Sequence, residues 1–241
     1  MSVPVPPEGG TVADAFKAAL PIMLGYVFLG LPCGILSQQI GLSPLQVFLL
    51  CALFYSGAGQ YMIPNMWLAQ SPLFAIIASV TLVNTRQLLY ATSLSRFTED
   101  VSRAKAFLFG ATVTDESFGV NLTKLELGNW SVRSATLVNI FSQSSWTISC
   151  VVGAILGAVL NVPTALASFA MTAIFLCLLW TQQPTLGNIA AAVAAALGVV
   201  ICKFIGLAGP AIFLGAILGV VAGMVIARAG LAEVRVGRRH G

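Results

Sequence analysis

Two long stretches of this chain contain no Asp, Glu, Lys or Arg. The first is the 68 residues between Lys17 and Arg86, and the second is the 69 residues between Arg133 and Lys203. A charge at the centre of a bilayer costs about 2.5 to 3.5 kcal/mol, and about 20 apolar residues in a helix cross the hydrocarbon layer. Each stretch therefore has room for three transmembrane helices, and residues 204–227 have room for one more.

The composition excludes several classes of protein. Hydrophobic residues make up 58% of the chain and charged residues 8%, whereas a soluble domain has about 25% charged residues. The basic residues gather in one central segment and in the C-terminal tail, which leaves no basic face for nucleic acid. The single histidine, His240, lies in the tail, and no catalytic motif such as H-E-x-x-H is present. We therefore expect no metal, no cofactor and no enzymatic activity.

Turn residues divide the charge-free stretches into about seven transmembrane helices. The predicted spans are roughly 16–37, 44–68, 72–92, 135–160, 163–182, 185–205 and 209–228. Five cations between 93 and 133, together with the basic tail, predict by the positive-inside rule that both segments are cytoplasmic. With three spans before the central segment, the N-terminus is expected outside. The fold class is thus an all-α polytopic membrane protein.

The spans suggest an internal organisation of one transmembrane domain, residues 16–228. A disordered leader, 1–15, precedes it and a basic cytoplasmic tail, 229–241, follows it. Within it, similar lengths suggest repeat one at 16–92 and repeat two at 135–205, joined by the acidic connecting segment 93–133 and followed by a final helix, 209–228. Three spans per repeat would give the copies inverted orientations, as in many transporters. Coincidence of length is the alternative.

The last span has glycine at every fourth position, at Gly215, Gly219 and Gly223. Such a ridge of small residues permits close helix contact. It predicts packing within the chain, with a second subunit in an oligomer as the alternative.

The second span carries an unusual polar segment, F-Y-S-G-A-G-Q-Y, at residues 54–61. Gly57 and Gly59 each weaken a helix by about 1 kcal/mol relative to Ala, so the segment predicts a broken helix. Freed backbone groups in such a break bind ions and substrates in transporters. The alternative is tight helix packing, with Ser56 and Gln60 bonding neighbouring helices.

The third span contains N-T-R-Q at residues 84–87, with Arg86 within the apolar run. Arg86 either extends to the membrane interface or turns inward as a fork for a carboxylate. That carboxylate would belong to a substrate, to Asp115 or to Glu116.

Residues 106–127 place an acidic pair between two apolar stretches that are each too short to cross a membrane. This composition predicts either a re-entrant pair of half-helices or a helix pressed against the bundle. Thr114 is a candidate N-cap for a helix beginning with Asp115 and Glu116, an ordinary structural arrangement. In the functional alternative, one of the two carboxylates binds the coupling proton or a substrate ammonium.

These motifs resemble the AzlC-type large subunits of branched-chain amino acid exporters. The resemblance rests on P-I-M-L-G-Y-V-F-L-G-L-P-C-G, S-G-A-G-Q-Y, L-V-N-T-R-Q-L-L-Y and T-D-E-S-F, and it is weak in the second half of the chain. Gln87 departs from the family pattern, in which a histidine is expected. The resemblance implies export of branched-chain or similar hydrophobic amino acids across a bacterial cytoplasmic membrane, together with a small AzlD-type membrane subunit.

A zwitterionic substrate would bind its charged ends to unwound backbone and charged side chains, and its apolar side chain to aromatic residues. The predicted substrate-binding residues are Tyr55, Ser56, Gly57, Gly59, Gln60, Asn84, Arg86 and Phe118, and the predicted proton-coupling residues are Asp115 and Glu116. The competing functions are a passive pore for small solutes and a membrane scaffold subunit that transports nothing itself.

Overall fold

A computed structural model describes residues 9–128, 130–160, 163–181, 185–206 and 211–229. Residues 1–8 of the predicted leader and 230–241 of the predicted tail lie outside these residues, whereas α1 begins at Val12, inside the predicted leader. Every regular element within them is a helix. In chain order the helices are α1 (Val12–Gln39), α2 (Pro44–Leu53), α3 (Gly57–Leu68), α4 (Leu73–Ser95), α5 (Arg103–Ala111), α6 (Asp115–Glu126), α7 (Val132–Val159), α8 (Thr164–Thr181), α9 (Leu186–Phe204) and α10 (Ala211–Arg228).

The all-helical class is confirmed, whereas the count of seven spanning helices is not. Four helices in the described residues, α1, α4, α7 and α9, are long and apolar enough to cross a membrane. The predicted second span, 44–68, is instead two short helices, α2 and α3. The break lies at residues 54–56, directly before Gly57 and Gly59, because serine and glycine favour helix starts over helix interiors.

The chain forms two compact units. The first contains the described residues up to Pro64 together with Val83–Ser168. The second contains Asn65–Leu82 and the described residues from Phe169 onward.

Helices α1 and α7 pack side by side in the first unit and run in the same direction. Near their starts, the rings of Phe16 and Phe141 meet edge to face at 5.4 Å. Further along both helices, Gly30 faces the side chain of Ser149. An inverted repeat would place α1 and α7 antiparallel, because each opens one of the predicted repeats. The structure therefore does not support inversion for this pair.

Small residues permit this close approach of α1 and α7. A Cβ atom on Gly34 would lie 1.9 Å from the backbone oxygen of Cys150, and one on Gly153 would lie 2.1 Å from that of Leu31. Both distances are far below van der Waals contact, so only glycine fits at these positions. The two helices thus share a tightly packed seam.

Helices α5 and α6 form a hairpin, Arg103–Glu126, which we call the acidic hairpin. Asn139 of α7 donates a hydrogen bond of 3.2 Å to the backbone oxygen of Phe109, near the end of α5. Asn121 of α6 in turn donates one of 2.8 Å to the side-chain oxygen of Asn139. Lys124, near the end of α6, lies 4.5 Å above the ring of Trp130, which precedes α7. The tip of the acidic hairpin, residues 112–114, therefore lies beside the middle of α7. The end of α6 lies beside the start of α7.

The N-terminal end of α1 lies beside the basic central segment. Ser134 at the start of α7 donates a hydrogen bond of 2.8 Å to the backbone oxygen of Gly10, and Arg96, after α4, pairs with Glu126 at 2.5 Å. Helix α1 leaves this end and α4 returns to it. These contacts place the start of α1 beside the basic segment, so they do not support the expectation that the two lie on opposite sides of the membrane.

Helices α9 and α10 of the second unit pack against each other through the predicted glycine ridge. A Cβ atom on Gly215 would lie 2.5 Å from the Val199 side chain, and one on Gly219 would lie 2.8 Å from the backbone oxygen of Ala191. The ridge is therefore used within the chain, and the two helices run antiparallel.

Candidate functional site

The break between α2 and α3 is built around Ser56, which is buried. The hydroxyl oxygen of Ser56 accepts a hydrogen bond of 3.1 Å from the N–H of Gly59, and its carbonyl accepts one of 2.8 Å from Gln60. Ser56 therefore caps the N-terminus of α3. Within the described residues, the N–H groups of Gly57 and Ala58 have no hydrogen-bond partner. The predicted break exists, but its irregular residues are Phe54 to Ser56 and the glycines form the first helical turn.

Gln60 holds the break in place from inside the protein. Its amide nitrogen donates to the backbone oxygen of Phe54, and its amide oxygen accepts hydrogen bonds from the indole of Trp146 at 2.7 Å and from Cys51 at 3.3 Å. Only 1% of Gln60 is exposed. Its polar atoms are thus occupied, and the structure gives this predicted binding residue a supporting position.

Helix α4 contacts the backbone and side chains of the break. Asn84 accepts a hydrogen bond of 2.6 Å from the Ser56 hydroxyl. One turn later, Gln87 donates one of 3.2 Å to the backbone oxygen of Tyr55. Gln87 thus has a defined partner even though it replaces the histidine that the family pattern led us to expect.

Arg86 turns inward and pairs with Asp115 at the N-terminus of α6. Its Nη1 lies 2.6 Å from Asp115 Oδ2, with 30% and 21% of the two side chains exposed. The buried Nε of Arg86 has no hydrogen-bond partner in the described part of the chain. Of the two alternatives for Arg86, the structure shows the inward orientation, in which the guanidinium binds a carboxylate. The Nε–H of Arg86 remains available as a donor.

The tip of the acidic hairpin presents the N-terminus of α6. Thr114 caps the helix through hydrogen bonds with Ser117 in both directions, as the sequence suggested. The buried hydroxyl of Tyr26 on α1 donates a hydrogen bond of 2.7 Å to Glu116 Oε2 and lies 2.8 Å from the hydroxyl of Thr114. Glu116 is otherwise exposed. The two adjacent carboxylates thus differ: Asp115 has a cation partner and Glu116 has a phenol.

Tyr55 carries a buried polar atom without a partner. Tyr55 is 8% exposed, and its hydroxyl makes no hydrogen bond within the described residues. A buried hydroxyl without a partner is costly, which marks this position as one where a ligand group would bind favourably.

Phe118 stacks on Tyr90 of α4, with ring centroids 4.6 Å apart and planes 23° from parallel. It is half-buried and lies one turn into α6, after the acidic pair. The stack supplies an apolar wall close to the ion pair of Arg86 and Asp115.

The structure brings most predicted residues into one region of the first unit. The break, α4 and the tip of the acidic hairpin meet there through the contacts of Ser56 with Asn84 and of Arg86 with Asp115. Tyr26 and Trp146 were not predicted as site residues, because they lie in apolar helices and their partners are distant in the chain. In the described residues, no group of three His, Cys, Asp or Glu side chains is placed to hold a metal ion.

Comparison with known proteins gives a family and several relatives. The model of the family described as AzlC protein matches residues 21–160. The inner membrane protein YgaZ of Escherichia coli is 31% identical over 163 residues, which cover 65% of this chain and 66% of that protein. The branched-chain amino acid transport protein AzlC of Bacillus subtilis is 29% identical over 175 residues, covering 70% and 66%. The chain thus matches just under two thirds of the length of these relatives. No solved structure matches significantly.

Proposed function

Because this chain belongs to the AzlC family, we propose that it is a secondary carrier that exports branched-chain or similar hydrophobic amino acids. The chain is a multi-pass protein of the bacterial cytoplasmic membrane, with helices able to cross it. The name of the Bacillus relative supports the substrate class. Outward direction and proton coupling are parts of the proposal, as is the view that the protein moves its substrate without chemically changing it.

Two helix starts with opposite electrostatics support a zwitterionic substrate. Helix α3 begins at the break without an acidic residue in its first turn, and the N–H groups of Gly57 and Ala58 are unpaired in the described residues. Helix α6 begins with Asp115 and Glu116. A helix N-terminus carries about half a positive charge. Acidic side chains offset this charge at the start of α6 but not at the start of α3. We place the substrate carboxylate at the start of α3 and its ammonium at Glu116.

Tyr55 and Asn84 complete the polar contacts of this arrangement. The unpartnered hydroxyl of Tyr55 can donate to the substrate carboxylate or accept from its ammonium. Asn84 accepts from Ser56 through its oxygen, which leaves its amide N–H groups for the carboxylate. The aliphatic side chain of the substrate would contact the stack of Phe118 and Tyr90 or the neighbouring Phe54.

Arg86 and Asp115 provide a switch that responds to substrate. The guanidinium can bind a carboxylate through two N–H groups, and its buried Nε is unpaired within the described residues. The substrate carboxylate at the start of α3 would also reach Arg86, which lies two residues from Asn84, and would compete with Asp115 for the guanidinium. When this competition loosens the ion pair, the contact between α4 and the tip of the acidic hairpin weakens, so substrate binding favours a second conformation.

Glu116 is the better candidate of the two acids for carrying the proton. Asp115 already has a cation partner in Arg86, whereas Glu116 accepts a hydrogen bond from Tyr26 and is otherwise exposed. A proton on Glu116 would remove the negative charge that holds the substrate ammonium. Protonation on one side of the membrane would thus release the substrate there, and deprotonation on the other side would restore binding.

A small AzlD-type membrane protein is the proposed partner. The chain would carry the binding site, because the break, α4 and the acidic hairpin all lie in it. The small subunit would then be required for a stable or complete carrier rather than for substrate recognition.

Reconstitution into vesicles tests this function. The chain is incorporated with and without the small subunit, and counterflow of leucine, valine, isoleucine and methionine is measured at two pH values. A carrier gives saturable counterflow that an imposed proton gradient accelerates. Flux that rises linearly with concentration would instead indicate a pore, and no flux in the presence of the small subunit would indicate a scaffold.

A further inference from the structure

A cavity of about 560 Å³ opens between the first turns of α5 and α7. It lies at the end of the first unit where α1 begins, because α7 starts beside Gly10. None of the residues that line it belongs to the transport site described above.

The rim of this cavity is basic. Lys105, in the first turn of α5, and Arg133, in the first turn of α7, both line it and are exposed. Neither forms an ion pair in the described part of the chain, where the ion pairs are those of Arg86 and Arg96. Ser102 begins α5 without a side-chain cap, so N–H groups at that helix start also face an incoming anion. Asp100 is the single acid at the rim.

The inner part of the cavity is apolar. Leu108 of α5 and Leu137 and Ile140 of α7 line it about one to two turns beyond the cations. Leu108 and Ile140 are 46% and 37% exposed, respectively. One opening therefore offers cations at its mouth and an aliphatic surface behind them, and this surface continues in the direction of the transmembrane helices.

We propose that this cavity binds one molecule of an anionic phospholipid. The phosphate lies between Lys105 and Arg133, and one acyl chain covers Leu108 and Ile140. Asp100 accepts a hydrogen bond from a hydroxyl of the head group, which a glycerol head group has and a choline head group lacks. Basic pockets between helices at the cytoplasmic face recognise such lipids in other membrane proteins.

The bound lipid bridges the base of the acidic hairpin to α7. Its phosphate contacts one cation on each helix, so the lipid stabilises the position of α5 relative to α7. Binding is therefore expected to raise the unfolding temperature of the purified protein as well as to be measurable directly.

Native mass spectrometry of the purified chain measures this binding, with phosphatidylglycerol and phosphatidylcholine as probes. The double variant Lys105→Gln, Arg133→Gln should bind phosphatidylglycerol at least about fivefold more weakly for each cation removed. The matched control, Lys17→Gln with Arg103→Gln, removes two cations that do not line the cavity and should bind as the unchanged chain does. Leu137→Trp, which fills the apolar part, should also weaken binding.

Four outcomes would overturn the proposal. Phosphatidylglycerol binding could weaken equally in the two double variants, or remain undiminished in Leu137→Trp. The chain could also bind the two lipids equally, or inorganic phosphate alone could raise the unfolding temperature as much as phosphatidylglycerol does. The last would show an anion site that does not need an acyl chain. Because these measurements involve no transport, they are independent of whether the chain carries amino acids.

Discussion

The hydroxyl of Tyr26 donates a hydrogen bond of 2.7 Å to the carboxylate of Glu116, although 90 positions separate the two residues in the chain. The bond ties the middle of α1 to the tip of the acidic hairpin. Helix α1 is itself fixed to α7 by a seam that only glycine permits. Glu116 is thus an exposed acid attached to the most tightly packed part of the first unit.

The first prediction concerns the proton. Glu116→Gln removes the titrating group, so transport should lose its dependence on pH. Tyr26→Phe keeps the carboxylate but removes its hydrogen-bond donor. Without that donor the carboxylate is held less firmly at the tip of the acidic hairpin, so leucine transport should fall while its dependence on pH is kept. Counterflow measured across a pH series checks both variants.

Transport per molecule of protein separates this role from a purely structural one. If Tyr26 only supported the fold, Tyr26→Phe would lower the amount of active protein and leave the transport rate per molecule unchanged. An unaltered pH profile in Glu116→Gln would move the coupling role away from this residue.

The second prediction concerns the partly buried ion pair of Arg86 and Asp115. Arg86→Ala and Asp115→Asn should each reduce leucine transport at least about tenfold at normal abundance in the membrane, because each leaves one charge of the pair uncompensated at the site. The exchanged pair, Arg86→Asp with Asp115→Arg, should also keep normal abundance but not regain transport, because the cation no longer lies two residues from Asn84.

Arg96 provides the control for this ion pair. It pairs with Glu126, but 57% and 54% of the two side chains are exposed, and exposed pairs contribute about 0 to 1 kcal/mol. Arg96→Ala should therefore transport normally. Normal transport in both Arg86→Ala and Asp115→Asn would remove these residues from the mechanism.

The third prediction concerns the seam between α1 and α7. Gly34→Ala places a Cβ atom 1.9 Å from the backbone oxygen of Cys150, and such overpacking costs about 1 to 3 kcal/mol. Its unfolding temperature should fall. Gly25→Ala on the same helix meets nothing within 4 Å and should keep or raise the unfolding temperature, because alanine favours a helix by about 1 kcal/mol over glycine. Equal temperatures for both variants would contradict the close packing.

The fourth prediction concerns the start of α3. A Cβ atom on Gly59 would lie 2.9 Å from both the Phe54 ring and the Ser56 hydroxyl, so Gly59→Ala displaces the cap. Losing a cap costs about 1 kcal/mol, and the leucine transport rate should fall about fivefold. On Gly57 the added atom is 3.5 Å from Trp146, an ordinary contact, so Gly57→Ala should transport better than Gly59→Ala. The reverse order would count against the capped break.

The sequence indicated the membrane class and the broken helix because both depend on local composition. It did not distinguish a crossing helix from two half-helices, because residues 44–68 have the same hydropathy in either arrangement. The predicted count of seven crossings is therefore not confirmed, and four helices in the described residues are long and apolar enough to cross. The break lies a few residues before the glycines on which its prediction rested, because Ser56 is a better helix cap than glycine.

The partners within the site were only partly predictable. Arg86 and the acidic pair were linked by charge, which is rare in this chain and therefore informative. Tyr26 was missed because a single tyrosine in an apolar helix is ordinary, and its contact with Glu116 depends on packing of segments that are distant in the chain. The basic cavity was missed for the same reason.

The opposite character of the two helix starts has a consequence for stereochemistry. A carboxylate fixed at α3, an ammonium fixed at Glu116 and a side chain against Phe118 define three directions around one carbon atom. In the mirror-image amino acid, placing the carboxylate at α3 and the ammonium at Glu116 directs the side chain away from Phe118. Such a carrier would distinguish L-leucine from D-leucine by shape alone, without a separate filter for chirality.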